Sequence, residues 1–144
     1  MEKINSLTGM TDLIETKADE NVLANKVFQT EKILKEIFNN YAMSEIRTPA
    51  LENTNLFKRS VGDTSDIVNK ELYTFSDKND KSITLRPEGT ASVMRSIIEK
   101  KLDGETHKLW YLGPMWRYER PQKGRFRQFN QAGIEILGYP EGAP

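Results

Sequence analysis

The chain has 144 residues, with 37% hydrophobic and 29% charged side chains and a formal net charge of zero. That balance fits a folded globular domain and excludes disordered and fibrous classes. With no cysteine and a lone His107, disulfides, thiolate zinc sites and cysteine nucleophiles are excluded, and a histidine-built metal site or triad has too little material. From Asp19 to Tyr41 the apolar residues Leu23, Val27, Leu34, Ile37 and Tyr41 recur at three- and four-residue spacing, which predicts an amphipathic helix with Asp19 as its N-cap. Ser44 to Thr48 reads as a strand stopped by Pro49, whose nitrogen cannot donate to a ladder. Asn53 to Ser60 reads as a short helix and Val61 to Asn69 as a loop. ELYTF (71–75) and SITLR (82–86) form a hairpin across SDKNDK, which is turn chemistry. PEGT then breaks the strand, and Gly89 or Thr90 opens a helix to about Leu102 with Val93, Ile97 and Lys101 on one stripe. Strands at about 108–119 and 126–137 make a second hairpin, closed by ERPQKGRF.

Hairpins and helices in this order, with no strand-helix-strand alternation, predict an α+β domain. Its antiparallel sheet is flanked by helices that cover one face and leave the other free for a site. No apolar run reaches the ~20 residues of a membrane span, and the start lacks the apolar stretch of a signal peptide. A cytoplasmic protein with no membrane partner is expected. The chain stops at GYPEGAP directly after its last strand, and that end reads as cut.

Charge is unevenly spread. Residues 1–81 carry 11 basic and 14 acidic groups, residues 82–144 carry 10 and 7, and 108–127 holds six basic groups against Glu119 alone. This implies a local anion site rather than a broad nucleic-acid surface. Strand side chains alternate between faces, so Arg117, Glu119, Arg127, Phe129, Gln131 and Glu135 share one side, while Trp116, Tyr118, Ala132, Ile134 and Ile136 form an apolar side suited to packing. Arg117, Phe129 and Glu119 can supply a permanent cation for phosphoryl oxygens, a plate for a base and an acceptor for an amino group. The same residues also fit an ion pair on a wet sheet face. In TLRPEGT (84–90), Glu88 can bind a substrate ammonium or favour the helix dipole from the first turn. Asp12, Asp63 and Asp66 lack a ligand spacing and read as turn and loop residues, so no metal site is expected. Trp110 and Trp116 read as core and rim.

The segment GPMWRYERPQKGRFRQFNQAGIEILG (113–138) resembles motif 2 of class II aminoacyl-tRNA synthetases in the form found in histidyl-tRNA synthetases, and TLRPEGTA resembles their histidine-binding loop. GMTDLI and SEIRTPALENTNLFKRSVGDTSDIVNKELYTF resemble the family's opening segment and motif 1, so the likeness covers nearly the whole chain. It implies that residues 1–144 are the N-terminal part of a class II catalytic core, with motif 3 and the anticodon-binding domain belonging after residue 144. Arg117 would bind the ATP α-phosphate and the histidine carboxylate, and it would be the catalytic residue. Glu119 would accept from the adenine amino group, Phe129 would stack on adenine, and Arg125 or Arg127 would reach the γ-phosphate. Glu88, Thr90, Gln131 and Glu135 would contact histidine, while Gln122 and Lys123 would face tRNA(His). ATP and Mg2+ are implied, as is a homodimer through motif 1, around Ile46–Leu51 and the preceding helix. Two positions depart from the family pattern: Asn130 stands where histidine is frequent, and Thr8 where an arginine commonly precedes Gly-Met. A non-catalytic paralogue such as the regulatory subunit of ATP phosphoribosyltransferase is the alternative, and a bare dimerisation module is a third reading.

Overall fold

The computed structural model describes residues 3–19, 22–62 and 65–140. In chain order the elements are α1 (Leu23–Asn40), β1 (Ser44–Glu45), β2 (Leu51–Asn53), α2 (Thr54–Val61), a π-helical turn (Ile67–Glu71), β3 (Thr74–Ser76), β4 (Ser82–Leu85), α3 (Thr90–Glu99), β5 (His107–Trp116) and β6 (Gln128–Leu137). The strands form two three-stranded sheets, ordered β1-β5-β6 and β2-β4-β3. Their pairings are antiparallel, apart from β1, which runs parallel to β5 at Ser44–Leu109 and Glu45–Trp110. The expected α+β class, with helices flanking antiparallel ladders, is what the chain adopts.

Local chemistry explains most of the boundaries. Asn53 Oδ1 accepts from the Asn55 N–H at 3.0 Å and starts α2, which ends at Gly62 with φ +95°. Asp77 Oδ1 accepts from the backbone of Asn79 and Lys81 and closes the β3–β4 turn. Other expectations shift. Asp19 is not the cap of α1: its carbonyl accepts from the Val22 N–H and the Asn25 side chain, and this turn delays the helix to Leu23. The stripe expected to bury α1 is only partly covered, with Leu23, Ile37 and Tyr41 exposed and contact made chiefly by Phe38, stacked on Trp110 at 5.0 Å. Lys101 adopts φ +56° and leaves the α3 stripe, so that helix ends at Glu99. Ile67–Glu71 forms a π-helical turn that begins in the stretch read as loop and takes Glu71 from the strand expected at 71–75, which starts only at Thr74; Lys70 pairs with Asp66.

The central core joins Val93 and Ile97 of α3 to Leu109, Tyr111 and Met115 of β5, with Phe129 and Leu137 of β6 packed against it. Helices therefore lie on both faces of the β5–β6 ladder: α3 on the odd-numbered side, and α1 on the even side, where Trp110 meets Phe38 and Asn130 donates to Glu31 at 2.7 Å. This corrects the expectation of a site on a helix-free face. The apolar even side is the less covered, with Ile134 48% and Ile136 54% exposed. Alternation separates two faces but carries no record of which one receives α3.

Arg86 fastens the sheets to each other. Its N–H donates to Ala50 and its carbonyl accepts from the Trp116 N–H. Its guanidinium donates to the carbonyls of Pro114 at 3.0 Å and Thr48 at 2.6 Å, and burial lowers its pKa. The turn that follows, Pro87 to Gly89, is thereby held beside the end of β5. Among the described residues no helix is long and apolar enough to cross a membrane.

Candidate active site

The β5–β6 ladder runs from His107–Leu137 to Trp116–Gln128, and the Arg117 N–H adds a further bond to the Arg127 carbonyl at 2.9 Å. Glu119 lies beyond the strand, because its N–H turns back to the Arg117 carbonyl at 2.8 Å. At the loop tip Gln122 and Arg125 exchange backbone hydrogen bonds around Lys123 and Gly124, which has φ +78°. Gln122 and Lys123 are exposed there, away from the loop root. Arg125 Nε reaches back to Glu119 Oε2 at 3.0 Å.

Arg117 occupies the junction. Its Nε donates to the Pro87 carbonyl at 2.9 Å, its guanidinium carbon lies 5.2 Å from the Phe129 ring centroid, and Nη1 is 4.0 Å from Glu119 Oε1. Arg117, Glu119, Arg125 and Phe129 are thus brought together, with a cation lying over an aromatic plate. Arg127 is engaged differently: its guanidinium lies 3.9 Å from the Tyr118 ring centroid, and its Nε donates to the Glu119 carbonyl at 3.0 Å.

The four residues assigned to histidine lie along the start of α3 and the facing side of β6. Glu88 receives the Thr90 N–H at 2.6 Å on one oxygen and the Ala91 N–H at 2.9 Å on the other. It therefore caps α3, and each oxygen keeps a second lone pair for a ligand. The Thr90 hydroxyl donates to Glu135 Oε1 at 2.7 Å. Gln131 Oε1 is buried without a hydrogen-bond partner. An orphaned acceptor carries a desolvation cost that an ammonium donor would remove.

Tyr111 was missed by sequence reasoning, although Gly133 inside a strand of larger residues was the signal for a close approach. Its ring is 7% exposed and fills the space between Gly89 and Gly133, where an added Cβ would come within 2.3 Å of it. Burial pushes the phenol pKa up. Hydrogen bonding with the Thr90 side chain and the Gly89 backbone opposes that shift, while the charges of Glu135 and Glu88 reinforce it.

Of the aspartates considered from sequence, Asp63 lies outside the described residues and Asp66 pairs with Lys70 at 2.9 Å. Among the described residues no three histidine or acidic groups gather as a metal cage. Trp110 is buried in the core, and Trp116 sits at the rim, donating to Gln128 at 3.0 Å.

An antiparallel ladder whose loop root gathers Arg117, Glu119 and Phe129 beside a Pro-Glu-Gly-Thr turn places the fold with class II aminoacyl-tRNA synthetases. The family model for histidyl-tRNA synthetase matches residues 20–142, and the chain belongs to that family. Histidine–tRNA ligases from two strains of Desulfitobacterium hafniense are 62% identical over 110 residues, which cover 75% of this chain and 26% of each relative. The chain thus spans about a quarter of the length of the curated relatives it matches. The apo structure of Staphylococcus aureus histidyl-tRNA synthetase is 41% identical with a TM-score of 0.73, covering 95% of this chain and 30% of that one. A Bacillus halodurans C protein described as an ATP phosphoribosyltransferase regulatory subunit/histidyl-tRNA synthetase shares the fold at 24% identity and TM-score 0.69, covering 97% of this chain and 34% of its own.

Proposed function

We propose that residues 1–144 form the N-terminal portion of the catalytic domain of a histidine–tRNA ligase, which activates histidine with ATP and transfers it to tRNA(His). The observation that carries this reading is the position of Arg117, joined to the Pro87 carbonyl of the amino-acid turn and lying over Phe129 of the nucleotide side. In activation a histidine carboxylate oxygen attacks the α-phosphorus, a P–O bond forms, and pyrophosphate leaves. Arg117 sits where charge gathers on the α-phosphate oxygens, and a preorganised guanidinium stabilises that charge as it develops. Holding both substrates in line supplies much of the remaining acceleration.

Phe129 stacks on adenine, Glu119 accepts from its amino group, and Arg125 at the exposed loop takes the γ-phosphate. Glu88, Thr90, Gln131 and Glu135 receive histidine, with the orphaned Gln131 oxygen accepting from its ammonium. Gln122 and Lys123 at the loop tip meet the tRNA. Mg2+ held on the triphosphate would neutralise phosphate charge beside Arg117 and Arg125. The exposed α1 stripe at Leu23, Ile37 and Tyr41, together with Ile46–Leu51, supports a homodimer contact. A chain without cysteine and without a spanning helix among the described residues suits the cytoplasm.

The test is ATP binding by the purified chain, followed by histidine-dependent exchange of pyrophosphate into ATP. Weak binding that is lost in Arg117→Ala, with little exchange, is expected. Exchange that survived Arg117→Ala would contradict the role given to that arginine, and absence of ATP binding would favour the non-catalytic paralogue.

A further inference from the structure

Arg127 is the most constrained basic residue of the loop, and its constraints come from both sides. Its backbone N–H donates to the Gly9 carbonyl at 2.7 Å, and the Gln128 N–H reaches the same carbonyl at 3.3 Å. Its own carbonyl accepts from Arg117 at 2.9 Å. Its Nε donates to the Glu119 carbonyl at 3.0 Å, and its guanidinium stacks on Tyr118, 3.9 Å from the ring centroid. Tyr118 is itself tied down, by its N–H to the Glu71 carbonyl at 2.7 Å and by an edge contact with Tyr73 at 5.6 Å. Gly9 has φ +78°, and a Cβ there would come within 2.7 Å of Arg127 Cγ. The N-terminal turn therefore grips the methylenes of Arg127 at a position that only glycine allows.

We infer that Arg127 is a positioning residue, clasped by Gly9 and Tyr118, which holds the Glu119 backbone so that its carboxylate faces the adenine amino group. It is not a ligand of the γ-phosphate. The inference rests on the assignment of Glu119 as the adenine acceptor. An engaged Nε does not by itself decide the matter, since Arg117 also donates from Nε to a carbonyl and keeps its terminal nitrogens for a phosphate; what separates the two arginines is where they are held. Arg117 lies over Phe129, the ring assigned to adenine, whereas Arg127 stacks on Tyr118 and is held by the Glu119 backbone and by Gly9; Arg125, with its side chain 58% exposed, makes an ion pair with Glu119 that a triphosphate can exchange.

The experiment compares the affinity of the 144-residue chain for ATP, inosine triphosphate and AMP. Inosine carries an oxo group where adenine carries the amine, so the ATP:inosine triphosphate ratio reads Glu119 and the ATP:AMP ratio reads phosphate contacts. The wild-type chain should prefer ATP to inosine triphosphate by about tenfold or more. Arg127→Met and Gly9→Ala should both collapse that preference and keep the ATP:AMP ratio, while Arg125→Met should do the reverse. Arg127→Met that lowered the ATP:AMP ratio, or left both ratios unchanged, would overturn the inference, as would an unaltered Gly9→Ala chain. A wild-type chain that does not discriminate, or does not bind ATP, would remove the role of Glu119 instead. Amide exchange then judges the clasp by itself: both variants should expose the N–H groups of residues 117 and 127, and unchanged protection would overturn it.

Discussion

The Thr90 hydroxyl donates its hydrogen to Glu135 Oε1 across 2.7 Å, joining the first residue of α3 to β6 over a separation of 45 residues. The bond fixes the carboxylate on the side of β6 that faces the start of α3. It also couples the helix capped by Glu88 to the strand carrying Gln131 and Phe129.

Thr90→Val removes the donor and leaves Glu135 without its orienting partner. Histidine affinity should fall by about tenfold, in line with the loss of a hydrogen bond to a charged group. ATP affinity should stay within about twofold, since an unrelated contact shifts it little. Calorimetric titration with each ligand checks this, and an equal loss for both would remove Thr90 from the amino-acid side.

The packing of Tyr111 leaves no room at Gly89 or Gly133. Gly133→Ala should cost about 1–3 kcal/mol in urea unfolding, the usual penalty for overpacking. Gly104→Ala is the control, because nothing lies within 4 Å of a Cβ there. Equal midpoints for the two variants would show that the ring is free to move.

Burial raises the Tyr111 pKa above its ordinary value of 10.0. A raised folded-state pKa means that the native chain holds the proton more tightly than the unfolded one. The resulting stability is fully present below about pH 10 and is lost as pH rises toward the folded value. Tyr111→Phe should therefore reduce the alkaline loss of stability above about pH 10 without changing its trend below. Chemical unfolding of both chains between neutral and alkaline pH measures the difference, and identical slopes would mean that the phenol is solvated.

Much of this arrangement was legible in the sequence. Period-two alternation put Phe129, Gln131 and Glu135 on one side of a strand, and the PEGT break placed Glu88 and Thr90 at a helix start. What escaped was tertiary. Nothing local in Val93 or Ile97 says that α3 packs on the same side as the site, nor that Arg86 spans from the turn to Thr48 and Pro114. The resemblance left Arg125 and Arg127 as alternative partners of the γ-phosphate, yet one pairs with a carboxylate from the loop and the other stacks on a tyrosine where the N-terminal turn at Gly9 holds its backbone, a contact no local pattern records.

Ile134 and Ile136 lie half exposed beside one another on the even side of β6. Contiguous apolar surface of this kind favours association. Sedimentation should show the chain self-associating at high concentration, with Ile136→Lys shifting it toward monomer. A wild-type chain that stays monomeric throughout would show that the two side chains remain in water at no cost.

The most direct test of the central claim is contact between ATP and Phe129. With phenylalanine selectively labelled, intermolecular nuclear Overhauser effects from adenine H2 and H8 should reach the Phe129 ring, miss Phe126 and Phe75, and vanish in Arg117→Ala at equal ATP concentration. Effects at saturating ATP that reached other rings and never Phe129 would contradict a nucleotide seat built from Arg117 and Phe129.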